Sequence, residues 1–305
     1  MSRVTRGTPP GDAYLDLQNQ ARRTGRPTQE LLQLYVLEGF LARLAASDLR
    51  ERFVLKGGVL LAAFDSRRPT KDIDFAAVHL ANDAATVLEL VHRVLEVELM
   101  HEDGVEFAAD AATAEVIREE DDYSGVRVHV EGRLASAKLP FHIDVSIGDP
   151  IWPKSATVAV PRLRGGSPIN LRGYPMHMVH AEKIVTAVQR GIANTRWRDF
   201  GDVWSLSRRH RIDADDLRQS ILEVARYRNT TLHPLAYVLD GYAPLAQARW
   251  SGWRRRSNSD HLPELFESVL LAVIDFADPV LTGLVDGLMW DADLTTWRER
   301  PSQVS

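Results

Sequence analysis

The chain has 305 residues, 45% hydrophobic and 26% charged, the balance of a folded protein rather than a disordered or fibrous one. It contains no cysteine, which excludes disulfides, zinc–thiolate centres, iron–sulfur clusters and a thiol nucleophile. The formal net charge of −5 announces no polyanionic partner, although an acidic first half precedes a mildly basic second half.

The opening MSRVTRGTPPGDAY is polar, and no apolar run approaches the roughly 18 residues of a bilayer span, so a cytoplasmic protein without membrane contact is expected. Residues 1–12 read as a frayed tail, interrupted by Pro9, Pro10 and Gly11. A helix follows from Pro27, with Thr28 as its N-cap and an apolar series from Leu31 to Leu44. Residues 52–55 form a short strand ending at Lys56-Gly57-Gly58; Val59 to Phe64 turns helical, and Asp72 to Val78 is a strand. Asn82 caps a helix reaching about Met100. Val126–Val130 and Phe141–Ile147 alternate apolar and polar residues, the pattern of half-buried strands. Pro161 to Gly173 reads as a loop and marks the boundary between expected domains at 1–165 and 166–305. Beyond it the periodicity is helical, at about 176–190, 197–210, 214–226, 234–248, 262–276 and near 280–290. Residues 249–260 read as a basic, Trp-containing connection.

On a strand, residues i and i+2 share a face, so Asp72 and Asp74 point together while Ile73 and Phe75 enter the core. Two such carboxylates repel unless a cation lies between them, and Mg²⁺ suits carboxylate and phosphate oxygens. The alternation of residues 141–147 places Asp144 on a polar face, a candidate third carboxylate if its strand adjoins that of Asp72. Three carboxylates around Mg²⁺ or Mn²⁺ suit phosphoryl or nucleotidyl transfer. The Gly57-Gly58 turn beside Lys56 lets backbone N–H groups approach phosphates closely.

This order resembles the DNA polymerase β-like nucleotidyltransferase superfamily, and more closely the AbiEii/AbiGii toxin family that includes the MenT toxins of mycobacteria. The shared motifs are Leu55-Lys56-Gly57-Gly58, Thr70-Lys71-Asp72-Ile73-Asp74-Phe75, Glu182-Lys183 and Arg198-Asp199-Phe200-Gly201-Asp202. The resemblance implies an α+β fold, with a polymerase β-like lobe around a mixed sheet followed by a mainly helical lobe. It implies metal binding by Asp72 and Asp74, triphosphate contact by Lys183, and a role for Asp202 at the acceptor end. The implied activity is nucleotide transfer from an NTP to the 3′ end of tRNA, blocking translation, and the implied partner is a cognate antitoxin. Thr70 stands two residues before Asp72, where some MenT-like toxins carry a regulatory phosphate; a charge of about −1.5 to −2 there would oppose NTP binding.

The residues themselves leave alternatives open. Lys183 borders an apolar stripe and would also suit a solvent-directed side chain; Arg190, seven residues on, shares its face as a second phosphate contact. Arg198 and Asp202 would equally suit an i,i+4 surface pair. His129, His142, His177 and His180 lack metal-site spacing and are expected at the surface or an interface. Arg208, Arg209, Arg211, Arg254, Arg255 and Arg256, with Trp250 and Trp253 beside the last three, suit phosphate contact and base stacking by acceptor RNA. A nucleotidyltransferase for protein or small-molecule acceptors, or an inactive binding module of the same fold, would use the same motifs.

Overall fold

The computed structural model describes residues 4–78, 80, 83–118 and 124–300. They form two compact units, Met1–Asp149 with Ala156–Gly173, and Pro150–Ser155 with Tyr174–Ser305.

The first unit opens with helices α1 (Pro9–Thr24) and α2 (Thr28–Ala46). Pro9 and Pro10 start α1 rather than break it. Proline costs little in a first turn, where its missing N–H has no partner to lose, and the Thr8 side chain caps Gly11 N–H. The N-cap of α2 is Pro27, so Thr28 is the first helical residue. Strand β1 (Phe53–Lys56), the turn-helix α3 (Gly57–Leu60), β2 (Asp72–Ala77) and α4 (Ala84–Leu95) follow. Asn82 lies outside the described residues; the Asp83 side chain accepts from Thr86 N–H at the start of α4. That helix ends at Leu95, the last of its buried stripe, and Met100 is exposed.

Strands β3 (Val105–Phe107), β4 (Thr113–Arg118), β5 (Ser124–Leu134), β6 (Ala137–Ile147), β7 (Ala156–Val160) and β8 (Ile169–Gly173) complete the unit. The sheet runs β3-β5-β6-β2-β1-β8-β7, with β4 on β5. Strand β5 runs past the expected end at Val130 and includes Gly132. A Cβ there would meet Val36 of α2 at 2.4 Å, so the glycine permits a close helix–sheet approach. The expected 161–173 loop contains β8, which pairs with β1 and β7. The unit boundary therefore falls after Gly173 rather than at 165.

The core lies between the sheet and α2. Phe40 packs against the rings of Phe75, Phe107 and Phe141 at 6.2–6.5 Å between centroids. Buried Glu38 accepts from Arg67 at 2.7 Å and from Leu163 N–H at 3.0 Å, tying the loop after β7 to α2.

The second unit carries α5 (Met176–Arg190), α6 (Trp197–Ser207), β9 (Ile212–Asp213), α7 (Ala214–Tyr227), α8 (Leu235–Val238), α9 (Tyr242–Arg256) and α10 (Phe266–Leu281). The helix expected at 234–248 is divided by Gly241 in the left-handed region (φ 74°). α9 then continues through the stretch expected to be a connection. It does so because Trp250 is buried against Phe266, with its indole N–H donating to Pro263 O at 3.0 Å. In place of the last expected helix, β10 (Leu288–Asp291) and β11 (Thr296–Glu299) pair as a hairpin on β9. Trp290 and Trp297 of that hairpin both pack on Phe276.

Candidate active site

The sheet register of the first unit brings the carboxylates together. Asp74 is paired with Asp144 across β2–β6, with Lys56 across β1–β2, and Asp144 with Arg127 across β5–β6. Directly paired residues share a sheet face, so Arg127, Asp144, Asp74 and Lys56 form one row. Asp72, His142 and His129 form the next row on that face. The intervening Ile73, Phe75, Ile143, Val145, Val126 and Val128 are buried on the other side. The condition set on Asp144, that its strand adjoin that of Asp72, is met by the β2–β6 pairing.

Gly57 has φ 63°, and a Cβ on it would fall 1.9 Å from Asp74 Oδ2. The glycine is required both by the left-handed backbone and by the carboxylate lying against it. Lys56 donates to Asp149 Oδ2 at 2.5 Å, and Ser146 Oγ donates to the same oxygen. Asp149 was invisible to sequence reasoning; the only signal was its place just after a polar-faced strand.

Asp144, the candidate third carboxylate, is engaged by a guanidinium. Both its oxygens accept from Arg127, Oδ1 from Nε and Oδ2 from Nη2, each at 2.7 Å. Among the described residues no group of three His, Asp or Glu side chains is gathered to hold a metal. Asp72 and Asp74 remain a fitting pair for Mg²⁺ or Mn²⁺, which bind through one or two carboxylates and complete their shell with phosphates and water. Thr70 precedes β2 rather than lying on it. Its hydroxyl donates to Asp72 O and accepts from Asp72 N–H, and a Cβ on Gly58 would meet Oγ1 at 3.1 Å. The hydroxyl therefore sits between the glycine turn and the first aspartate.

In the second unit, Lys183 of α5 donates to Asp199 Oδ1 at 2.6 Å and to Asp202 Oδ2 at 2.8 Å, both on α6. The alternative of a surface pair between Arg198 and Asp202 gives way to this helix-to-helix pair, with Asp202 only 5% exposed. Arg190 lies in the last turn of α5. His180, expected near the surface, is fully buried against Phe276. Burial, with His177, Lys183 and His210 nearby, holds its imidazole down at about 3. Arg208 stacks over the Trp204 ring at 4.2 Å, and Arg209 and Arg211 are exposed. Arg254 bonds Leu262 O and Asp260 O and so closes the end of α9, whereas Arg255 and Arg256 are exposed. Trp250, buried, is no stacking surface for a base.

The family model for the nucleotidyl transferase AbiEii toxin of type IV toxin–antitoxin systems matches residues 39–278, well over half the chain. The chain belongs to this family. It is accordingly a nucleotidyltransferase, its substrate an NTP, and its class implies a cognate antitoxin. Two solved structures from Helicobacter pylori are similar in fold. One, called JHP933, has 15% identity and a TM-score of 0.52, covering 84% of this chain and 93% of that one. The other, described as a "putative nucleotidyltransferase", has 16% identity and a TM-score of 0.48, covering 84% and 97%. No curated protein matches. Among the described residues no helix is long and apolar enough to cross a membrane.

Proposed function

We propose that this toxin transfers a nucleotide from an NTP to the 3′ end of tRNA in a metal-dependent reaction that stops translation. The observation that supports it best is the Asp72/Asp74 face beside the Gly57-Gly58 turn, with Asp74 packed directly on Gly57. Asp72 and Asp74 hold the metal, which when bound neutralises the phosphate oxygens and the charge developing on them. The backbone of Gly57-Gly58 receives the β- and γ-phosphates. The acceptor hydroxyl oxygen forms a bond to the α-phosphorus, the bond to pyrophosphate breaks, and the hydroxyl proton is released to water.

Lys183 and Asp202 serve the nucleotide and the acceptor end as the family motifs imply, and the exposed Arg209, Arg211, Arg255 and Arg256 meet the tRNA backbone. A phosphate on Thr70, between Gly58 and Asp72, would place negative charge in the triphosphate position and silence the enzyme.

The test is incubation of the purified protein with total tRNA, Mg²⁺ and each α-labelled NTP in turn, beside Asp72→Ala. Label on tRNA with the wild type and a loss of at least about a hundredfold in the variant is the expected result. Label on protein or small molecules alone would overturn the tRNA assignment. Undiminished label with Asp72→Ala would overturn the site.

A further inference from the structure

The row of charged side chains on the sheet contains a cation with no role in the reaction described so far. Arg127 presents Nε and Nη2 to Asp144, which fixes the plane and direction of its guanidinium. Among the described residues its Nη1 makes no hydrogen bond. The side chain is 35% exposed, on the face that carries Asp72 and Asp74. The hydrogen bonds it donates to Asp144, with the fields of Asp144, Asp72 and Glu115, hold the guanidinium firmly in its charged form. The group is thus anchored along one edge and open along another, the arrangement in which arginine takes a second, planar anion.

The order of the row gives that anion an identity. From one side to the other it reads Lys56 on β1, Asp74 on β2, Asp144 on β6 and Arg127 on β5. The glycine turn follows Lys56 at the β1 side, where the leaving phosphates are held. In-line displacement puts the attacking oxygen opposite the leaving group. The acceptor strand therefore approaches from the β6–β5 side. Arg127 stands two strand spacings, about 10 Å, beyond the Asp74 strand in that direction. It is too far along the row to share the β- and γ-phosphates at the turn, and it lies on the path of the nucleotide that carries the attacking hydroxyl.

We infer, resting on the RNA-transferase reading above, that Arg127 binds the last phosphodiester of the acceptor strand through Nη1, and that Asp144 is its positioning residue. Asp144 then contributes its charge to Arg127 rather than to the metal. Arg127 selects an acceptor with a phosphodiester just before its terminal hydroxyl, a feature that small-molecule acceptors lack.

The experiment uses the full chain, a short RNA ending in a 3′-hydroxyl, and the same RNA with an uncharged methylphosphonate at its last linkage. KM for RNA and KM for NTP are measured for wild type, Arg127→Gln and Asp144→Asn, with circular dichroism to confirm folding. Arg127→Gln is expected to raise the RNA KM about ten- to a hundredfold, the range for a lost charge-assisted hydrogen bond, and to leave the NTP KM unchanged. Asp144→Asn should raise the RNA KM less. The methylphosphonate should weaken the wild type to the level of Arg127→Gln and cost that variant nothing more.

An unmoved RNA KM in Arg127→Gln, a rise in the NTP KM instead, or additive losses from variant and methylphosphonate would each overturn the inference while leaving RNA transfer intact. Should the variant fail to fold, the wild type decides by itself, since indifference to the methylphosphonate overturns the contact. A wild type that transfers to no RNA overturns the RNA reading, and the inference falls with it.

Discussion

The two units each set a lysine among aspartates, and they do so for opposite ends. On the sheet, Lys56 donates to Asp149 and Arg127 to Asp144, one cation on either side of the Asp74 position in the row. In the helical unit, Lys183 lies between Asp199 and Asp202, and the cation is satisfied from within the protein. The first arrangement lies on a sheet face where Asp72 and Asp74 are half-buried. The second encloses its charges at 12% exposure for the lysine and 5% for Asp202. The difference is one of access to water: the helical cluster braces α5 on α6, and the sheet face stays half-open.

Breaking the brace should have the largest effect. Lys183→Met removes the cation and leaves the Asp202 carboxylate buried without it. Removing one member of a buried ion pair costs about 3–5 kcal/mol. Thermal unfolding should show the loss, and Lys183→Met with Asp202→Asn should recover part of it. If Lys183→Met leaves the melting temperature unchanged but abolishes transfer, the lysine is a substrate contact first and the brace is incidental.

On the sheet side, Gly57→Ala tests whether geometry alone controls the carboxylates. The added methyl would meet both an unfavourable φ and the Asp74 oxygen at 1.9 Å, so the carboxylate must move. A displacement on that scale is expected to lower turnover about a hundredfold, read in the labelling assay beside a circular dichroism check. Activity within a few-fold of wild type would show that Asp74 does not need its present position.

These two sites differ in how far they can be read without a structure. Asp72 and Asp74 are legible because a strand repeats every two residues. The Lys183 and Asp202 motifs are legible as a pattern, although the pattern cannot say that the two bond each other across α5 and α6. Asp144 is half legible: alternation gives its face, but its partner depends on β5–β6 register, and Arg127 is seventeen residues away in the chain. Asp149 depends on a contact across 93 residues and leaves no local trace. The misread helices follow the same rule. Trp250 and its arginines look like a surface loop by composition, and become α9 only because Phe266 and Pro263 O receive the indole.

The helical unit also stores a pH dependence. His180 is neutral in the folded protein above about 3, while the unfolded chain binds a proton below about 6.5. Its contribution is complete above pH 6.5 and is lost as the pH falls, because the unfolded state then binds more protons. The slope approaches about 1.4 kcal/mol per pH unit, or about 2 kcal/mol at pH 5. His177, lowered in the same direction by burial, adds to it. Urea unfolding at pH 7 and pH 5 should show this difference shrink in His180→Phe; an identical difference in wild type and variant would remove His180 as its source.

The smallest expected effect separates arginines that look alike in sequence. Arg254 is committed to Leu262 O and Asp260, whereas Arg255 and Arg256 are exposed. If the last two meet the RNA backbone, each neutralised phosphate adds about one to the slope of log affinity against log salt. Arg255→Ala with Arg256→Ala should lower that slope by about two without changing the melting temperature, and Arg254→Ala should lower the melting temperature while the slope stays nearly constant. The opposite partition would mean that the end of α9 is held by something other than Arg254, and that the exposed pair lies away from the RNA. The contrast between a satisfied cation and an available one would then fail at its simplest instance.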